Sequence, residues 1–440
     1  MKNQNYAYNL KAGYWHRFNG YCWQPLDSDV EPIRDGMQIM FAETHPVGFR
    51  TSYLKNTFSI MQGADLLPLP EQQTDKIPFK NGLLDMATKT LEPITKNNAQ
   101  VWVIEYDYHE NSNCAFFLWW LNSAVDNDAG LVLLIRAFIN ACLTGRTDLQ
   151  KFLHLLGAGG TGKSTLIRLL FTILGHSNCA TTDLINLETN KFETAGFYGK
   201  RLIAITDSDK YGGSVNVLKA LTGQDPVRNE RKNVQQNGTF IYTGMVMIAS
   251  NEPLASTDYT SGLERRRLVI KFDRRIKPEE KAAFIAKGGE EQLHKEIPAI
   301  INWALELSHD DVTQLFMHPP KKANEAAFES LTAQNPVAEW ITENLIPDPM
   351  SFVYFGKSEE SKDGGVIVYA DANNKLYPNY LQWCKHNNRT ALSSQRFKHA
   401  AKDMLNTFCV DIEESRRADG RGIIGIRIKQ PYEPFFDWQA

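Results

Sequence analysis

Residues 157–165 combine the residue types that bind phosphate. Their sequence, GAGGTGKST, fits the pattern G-x-x-x-x-G-K-[S/T] at every fixed position. Glycines let the backbone curl until several N–H groups point inward, and a following helix adds partial positive charge at its start. Lys163 can reach the β- and γ-phosphates of a nucleotide, and the Ser164 hydroxyl can bind Mg²⁺. We therefore interpret the loop as a binding site for a nucleotide and Mg²⁺, formed by Gly157, Gly160, Thr161, Gly162, Lys163, Ser164 and Thr165.

Two elements must hold this loop in place. The apolar run 152–156 before it predicts a buried strand. Residues 166–174 after it are apolar at helical spacing, and Gly175 is a suitable C-cap. The alternative is a glycine-rich turn that binds nothing. The complete motif, flanked by a strand and a helix, favours the phosphate loop.

A second apolar run ends in carboxylates. Residues 202–205 predict a buried parallel strand, and Asp207 and Asp209 follow at its carboxyl end. Residues two apart on an extended chain face the same way, so one aspartate can serve the metal while the other orients the attacking water. The alternative is a polar turn after an ordinary strand.

Two further groups of polar side chains stand beside predicted strands. Asn251 follows the β-forming run 239–250, where its amide can hydrogen-bond the attacking water or the γ-phosphate. Arg265, Arg266 and Arg267 precede another apolar run. Such arginines can reach the γ-phosphate held by a neighbouring subunit, as arginine fingers do, although a charge cluster is more often a solvated face.

Positive charge is concentrated locally. Residues 226–277 contain ten Lys and Arg against five Asp and Glu, a local net charge of +5, whereas the whole chain carries −3. The chain is therefore not a generally basic nucleic-acid coat, and any surface that binds a polyanion must be local.

The last hundred or so residues form a separate predicted module. The pattern predicts helices at 369–387 and 393–405, then strands at 409–413 and 423–428. Two helices followed by a hairpin with a basic tip are typical of a winged helix. We expect DNA contacts from Arg396 and Lys398 on the second helix and from Arg416 and Arg417 between the strands. A winged helix that contacts only proteins is the alternative.

Composition excludes several other classes. Six scattered cysteines without a C-x-x-C pair argue against a disulfide framework or a zinc ribbon. No signal peptide is visible, and the apolar runs 115–121 and 131–143 are too short to span a bilayer, so we expect a cytoplasmic protein without a membrane partner. Near the N-terminus, Asn19-Gly20 predicts an aromatic hairpin, which we interpret as a small β core rather than a base-stacking surface.

Taken in order, these motifs resemble those of superfamily-3 helicases. The ordered set is the phosphate loop, the strand ending in Thr-Asp-Ser-Asp, the segment Lys-x-Leu-Thr-Gly-x-Asp-Pro, the strand ending in Ser-Asn-Glu-Pro, and the arginines before a strand. The branch most similar is the helicase part of phage, plasmid and poxvirus primase–helicases. Residues 78–85 and 149–152 are similar to the segment that precedes the motor in that branch. The resemblance is weakest over residues 1–70.

The resemblance implies a role for each matching residue. Asp207 would be the main acid, Asn251 the sensor, and Arg265 the arginine finger, with Arg266 as second choice. Residues 228–237 match a hairpin that grips single-stranded DNA in a ring channel. The residues implied in DNA binding there are Arg228, Arg231, Lys232 and Asn233. The branch usually carries glutamate where Asp207 stands, which leaves the roles of metal ligand and base open between Asp207 and Asp209.

The resemblance also implies an architecture and an activity. We expect an α/β chain with an AAA+-like core around a central parallel sheet. The expected regions are a small aromatic β-rich region at 1–80, a helical oligomerisation collar at 81–145, the ATPase domain at 146–320, and a linker helix with a winged helix at 321–440. The implied activity is ATP-dependent unwinding of forked DNA by a homo-hexameric ring moving 3′ to 5′ on single-stranded DNA. A primase or polymerase domain, in the same chain or another, is an expected partner.

Two alternatives remain open at this point. One is an oligomeric ATPase that loads or remodels proteins. The other is an origin-binding assembly module anchored by the winged helix. The local basic stretches favour the helicase over the loader or remodeller.

Overall fold

The computed structural model describes most of the chain in two compact units. The described residues are 5–26, 28, 30–43, 50–63, 67–110, 113–206, 211–231, 238–254, 261–357, 360–363, 366–418 and 420–438. The first unit comprises the described residues within 1–208, 216–249 and 271–320, and the second those within 209–215, 250–270 and 321–440. None of the helices in these described ranges has the length and apolarity needed to cross a bilayer.

The N-terminal region is built on aromatic side chains. Its elements are β1 (Tyr6–Asn9), β2 (Tyr14–Phe18), β3 (Trp23–Pro25), α1 (Val30–Glu43), α2 (Thr51–Gly63), β4 (Lys76–Phe79), β5 (Gly82–Asp85) and β6 (Leu91–Glu92). The hairpin predicted around Asn19-Gly20 is confirmed, because β2 and β3 pair antiparallel with Phe18 opposite Trp23. Trp15 is buried in a cluster with Tyr8 and Phe58, so these aromatics form a core as expected.

Two helices lie in the second half of the region 81–145. They are α3 (Ala115–Ala124) and α4 (Ala129–Thr144). The chain turns between them at Asp126 and Asn127, which both have positive φ. The Asp128 carboxylate then accepts the Leu131 N–H at 2.9 Å and caps α4, which ends at Gly145 in the left-handed conformation. This confirms the helical pattern read from residues 114–144.

A five-stranded sheet forms the core that carries the phosphate loop. The elements are β7 (Phe152–Leu156), α5 (Lys163–Leu174), β8 (Cys179–Thr182), α6 (Leu184–Thr189), β9 (Leu202–Ile205), α7 (Asn216–Gly223), β10 (Pro226–Asn229), β11 (Gly238–Ile241), β12 (Met245–Ser250), α8 (Ser261–Glu264) and β13 (Arg267–Lys271). The strand order is β13-β7-β12-β9-β8, and β12 and β8 both run parallel to β9. In chain order this is 5-1-4-3-2. Strands β7, β9 and β12 are buried along their whole length, which is why their sequences are continuous apolar runs.

Four short helices complete the first unit. They are α9 (Pro278–Ala286), α10 (Gly289–Lys295), α11 (Ile297–Leu305) and α12 (His309–Met317). Helix α11 packs on α4 and α5, and α12 packs on α4. Helix α4 and the phosphate-loop helix α5 therefore both pack against α11.

The second unit contains the C-terminal helices and strands. They are α13 (Lys321–Gln334), α14 (Pro336–Asn344), β14 (Leu345–Tyr354), β15 (Glu360–Asp363), β16 (Val366–Tyr369), α15 (Leu376–His386), α16 (Ser394–Thr407), β17 (Glu413–Arg417) and β18 (Gly420–Ile428). Strand β18 lies between β14 and β17. Trp340, Tyr380 and Phe397 are fully buried and in ring contact, so three helices share one aromatic core.

The C-terminal hairpin differs in register from the sequence-based expectation. Its first strand begins later and its second strand begins earlier than expected, so the two are joined more tightly, with Arg416 paired to Arg421 and Arg417 to Gly420. Arg416 and Arg417 therefore lie on β17 itself and not in the connection between the strands. The physical reason is that Gly420, at φ 134°, lets the chain reverse within a few residues.

Candidate functional site

The phosphate loop joins β7 to α5, and its conformation requires glycine. Gly157, Gly160 and Gly162 have φ of 152°, 77° and 106°. A Cβ on Gly157 would overlap the carbonyl oxygen of Phe272, the residue that follows β13. A Cβ on Gly159 or Gly160, by contrast, would meet nothing within 4 Å. The loop is thus pressed against the chain at its start and open to solvent at its crest.

The start of α5 has features that favour the binding of an anion. Gly162 precedes the helix and has no side chain with which to cap it, and the first turn carries no acidic residue. The first N–H groups of a helix have no partner within the helix. Ser164 is exposed in the first turn. Phosphate oxygens are suitable acceptors for such N–H groups.

Lys163 points its ammonium group into the loop. The residue is only 8 % exposed. Its Nζ donates to the carbonyl oxygen of Gly157 and, at 2.9 Å, to that of Ala158. The Thr161 hydroxyl donates to the same Ala158 oxygen at 3.0 Å. The loop therefore holds a cation on its inner side.

Asp207 and Asp209, the acids expected after β9, lie outside the described residues. Strand β9, which precedes them, is a buried parallel strand as predicted. After it, the Thr206 N–H donates to the Thr182 carbonyl oxygen at 3.0 Å. Asp183, which was not singled out from the sequence, follows β8 beside it. Its carboxylate accepts the Asn186 N–H at 2.8 Å, and this hydrogen bond lowers the pKa of Asp183.

Asn251 directly follows β12. Strand β12 is next to β7 on one side and β9 on the other. Asn251 is exposed, and the Ser250 hydroxyl donates to the Glu252 carbonyl oxygen at 2.6 Å across it. Asn251 belongs to the second compact unit.

The three arginines before β13 have different surroundings. Arg267 is buried and pairs with Glu264, so its charge is used inside the fold. Arg266 is half-buried and donates to the Gly262 carbonyl oxygen at 2.5 Å. Arg265 is exposed. All three follow α8, which packs on α16 within the second unit.

The basic segment after α7 forms the expected hairpin. Strands β10 and β11 pair antiparallel, with Arg228 opposite Thr239. The Arg228 side chain is 83 % exposed. Arg231 instead donates to the Gly13 carbonyl oxygen at 2.5 Å and lies over the Tyr14 ring, 4.3 Å from its centre. Lys232 and Asn233 lie outside the described residues.

The basic residues of the second unit occupy α16 and β17. Arg396 is exposed near the start of α16, whereas Lys398 is half-buried over the Phe355 ring at 5.5 Å. Arg416 and Arg417 are exposed on β17, and the Arg417 guanidinium lies 4.1 Å from the centre of the Phe352 ring.

Sequence reasoning missed the residues that support the site from a distance. The Phe272 carbonyl oxygen leaves no room for a side chain at position 157. Arg231 is held by the Tyr14 ring and by the Gly13 carbonyl oxygen. Glu188 accepts the N–H groups of Asn216, Val217 and Leu218 at 3.0–3.2 Å and so caps α7. None of these residues carries a local signal, because each acts on a partner that is distant in sequence.

Comparisons with known proteins cover two segments of the chain. Residues 1–126 match a family described as D5 N terminal like, and residues 155–267 match a family of unknown function, DUF5906. An uncharacterized mitochondrial protein of Marchantia polymorpha, ymf20, is 29 % identical over 124 residues, which cover 27 % of this chain and 71 % of that protein.

Among solved structures, the apo A form of the NrS-1 C-terminal region is similar over 96 % of both chains, with a TM-score of 0.51 and 12 % identity. At this level of identity the likeness concerns the fold alone. The D5 N terminal like match adds a family signal over the first 126 residues. The match over residues 1–126 agrees with the coarser part of the resemblance drawn from the motifs, a relationship to phage-type primase–helicases.

Proposed function

We propose that this protein is an ATP-driven DNA helicase of the superfamily-3 (AAA+) class, acting in replication of a phage, plasmid or other mobile element. The observation that carries the proposal is the phosphate loop, in which the buried Lys163 ammonium faces inward at the uncapped start of α5. This arrangement suits a nucleotide triphosphate. The related family and the basic hairpin extend the proposal from nucleotide binding to DNA.

The residues present fit ATP and Mg²⁺. Phosphate oxygens would replace the Gly157 and Ala158 carbonyls as acceptors for Lys163, and the N–H groups from Gly160 to Thr165 would line the phosphate chain. Ser164 would bind Mg²⁺ together with Asp207. Bound Mg²⁺ would neutralise the charge that develops on the phosphates.

Hydrolysis would need groups from several strands. Asp207, the main acid by the resemblance, would serve the metal and Asp209 would orient the attacking water, or the two would exchange these roles. Asn251 would hydrogen-bond the water or the γ-phosphate. Arg265, the exposed member of its cluster, would act on ATP bound by the neighbouring subunit of a homo-hexameric ring, with Arg266 as the alternative.

DNA would be held at two places. In the ring, the β10–β11 hairpin would grip one strand through Arg228, Lys232 and Asn233, and movement would be 3′ to 5′. In the second unit, the elements α14, β14, α15, α16, β17 and β18 would together act as a winged helix on the forked duplex. Its phosphate and groove contacts would come from Arg396, Lys398, Arg416 and Arg417.

The test is ATP hydrolysis by the wild type with and without single-stranded DNA. We expect DNA to stimulate hydrolysis, and Lys163→Ala to lower the rate by about a hundredfold or more because the γ-phosphate loses its cation. Lys55→Ala, on the exposed face of α2, is the control and should hydrolyse ATP normally.

Retained hydrolysis in Lys163→Ala would contradict the site. Hydrolysis that is indifferent to DNA and separates no strands would favour a protein loader or remodeller. A primase or polymerase domain that supplies primers at the same fork is the partner expected for the helicase.

A further inference from the structure

The turn between β1 and β2 docks on both strands of the β10–β11 hairpin. Asn229, at the end of β10, is buried, and its amide donates to the Ala12 carbonyl oxygen at 2.6 Å. The Tyr14 hydroxyl lies 3.0 Å from the Asn229 side-chain oxygen. On β11, a Cβ added to Gly238 would stand 2.8 Å from the carbonyl oxygens of Ala12 and Lys11. The N-terminal turn therefore fits closely against the root of the hairpin.

Arg231 fastens the same turn. Its Nη2 donates to the Gly13 carbonyl oxygen at 2.5 Å, and its guanidinium lies 4.3 Å from the centre of the Tyr14 ring. The Tyr14 ring in turn stacks on Tyr198, with ring centres 4.2 Å apart and planes 6° apart. A guanidinium held in this way is used for packing, so Arg231 is poorly placed to bind a phosphate as well.

A third segment joins this contact. The short 3₁₀ helix Glu193–Phe197 leads towards β9, which precedes the expected catalytic acids. Within it, the Thr194 hydroxyl donates to the Arg228 carbonyl oxygen at 2.7 Å. The Ala195 carbonyl oxygen lies 2.8 Å from the Tyr14 hydroxyl, which has one proton to share between this oxygen and the amide oxygen on β10. Turn, hairpin root and the segment before β9 are thus linked by hydrogen bonds.

The turn also brings a cation to the hairpin. Lys11 is exposed at the turn, and its own carbonyl oxygen is one of those that face Gly238. Arg228 is exposed on β10. Glu230, two residues after Arg228, lies 3.9 Å from Arg228 but pairs more closely with Lys191, at 3.2 Å, which offsets its charge. The combined surface of turn and hairpin is therefore more basic than the hairpin alone.

We propose that residues 9–14 are the second half of the DNA-gripping element. The turn braces the root of the hairpin through Asn229 and Arg231, and Lys11 contributes a contact to a backbone phosphate of single-stranded DNA beside that of Arg228. Arg231 is then a positioning residue and not a phosphate ligand. The inference rests on the proposed function, since it assumes that the hairpin binds DNA.

The first test is the salt dependence of single-stranded DNA binding by the full chain. Each lost phosphate contact should reduce the slope of log K against log salt by about 0.7. We expect this reduction in Lys11→Gln and no change in Lys55→Gln, which removes the same charge from α2 in the same region. Equal slopes in the two variants would overturn the role of Lys11.

The second test distinguishes an Arg231 that braces the hairpin from an Arg231 that binds a phosphate directly. In Arg231→Gln without DNA, we expect faster amide hydrogen exchange in the β1–β2 turn and in the described strands of the hairpin together, with weaker DNA binding at an unchanged melting temperature. Arg228→Gln should lower the salt slope but leave exchange unchanged.

An Arg231→Gln variant with a reduced slope and normal exchange would show that Arg231 binds phosphate directly, and would overturn the brace. A variant with unchanged exchange and unchanged DNA affinity would overturn it too. If the wild type binds no single-stranded DNA, the proposed function fails, while the exchange measurement still decides whether the turn braces the hairpin.

Discussion

At the scale of single residues, two buried cations, Lys163 and Arg201, donate to carbonyl oxygens. Lys163 donates to two carbonyl oxygens of its own loop. Arg201 is buried in the first unit and donates to the carbonyl oxygens of Thr243 at 3.1 Å and Cys142 at 3.0 Å, with its guanidinium 4.4 Å from the centre of the Trp102 ring. Burial lowers the pKa of Arg201 to about 10, which still leaves it charged at neutral pH. Its charge lies at the end of α4, where the helix dipole is negative.

We predict that Arg201→Met destabilises the protein by about 3 kcal/mol, because several buried carbonyl oxygens lose their donor at once. Urea unfolding of the variant measures this loss. Arg275→Met, at an exposed position, is the control and should unfold as the wild type does. Equal stability of the two variants would show that the carbonyl oxygens are satisfied without Arg201.

His16 gives the fold a pH dependence. The residue is fully buried, and burial lowers its pKa to about 4. The Tyr14 carbonyl can only accept, so Nδ1 carries the proton, and Nε2 accepts from the Tyr198 hydroxyl at 3.2 Å. The folded state therefore holds a neutral imidazole, while the unfolded state takes up a proton near pH 6.5.

The unfolding free energy should consequently fall by about 3 kcal/mol as the pH is lowered from 6.5 to 4, and the full stability should be present above 6.5. Chemical unfolding of the wild type and His16→Gln across this range measures the difference. The variant should lack this part of the pH dependence. The same slope in both proteins would mean that other groups cause it.

At the scale of elements, the phosphate loop closely approaches the end of β13, and the effect of a substitution there can be predicted. Gly157→Ala should weaken ATP binding by about tenfold or more, because the new methyl group meets the Phe272 carbonyl oxygen and the φ of 152° is unfavourable for alanine. Gly159→Ala is the matched control, since its methyl group would enter open space. Titration with a fluorescent ATP analogue compares the two, and equal affinities would contradict the loop geometry.

The elements that can be predicted from the sequence are those specified by residues close together in the chain. Strands β7, β9 and β12 were foreseen because both faces of each are buried, which requires unbroken apolar runs. The α5 helix was foreseen from its motif and its spacing. Asn19-Gly20 placed the N-terminal hairpin because that dipeptide suits a tight reversal.

The elements that were missed depend on distant partners. Helix α1 contains Pro32 and Gly36, which weaken its local signal, and it is stabilised by packing on α2. Strand β14 contains Pro347 and Pro349 and a register shift between Asp348 and Phe352, so only its pairing with β18 reveals it. The support of the hairpin by residues 9–14 joins segments more than two hundred residues apart, which no local pattern reports.

At the scale of the whole molecule, the proposed ATP site needs residues from more than one chain. Arg265 is exposed, whereas Arg267 is buried against Glu264, and the proposed site receives its arginine from a neighbouring subunit. We predict that Arg265→Ala binds ATP normally but hydrolyses it at a hundredth of the wild-type rate or less. Mixing it with Lys163→Ala should restore part of the hydrolysis, because some interfaces then combine an intact loop with an intact arginine.

Steady-state hydrolysis of the mixture, compared with each inactive variant alone, measures this complementation. Arg275→Ala is the control for loss of an exposed arginine and should remain active. An inactive mixture of variants that still assemble would place the arginine in the same subunit as the loop.

The measurement that tests the central claim most directly is strand separation on forked DNA. Forks with a single-stranded 3′ arm or a single-stranded 5′ arm are incubated with the full chain and ATP. The account predicts ATP-dependent separation of forks that carry the 3′ arm, and none with Lys163→Ala. ATP hydrolysis by the wild type that leaves both kinds of fork intact would contradict it.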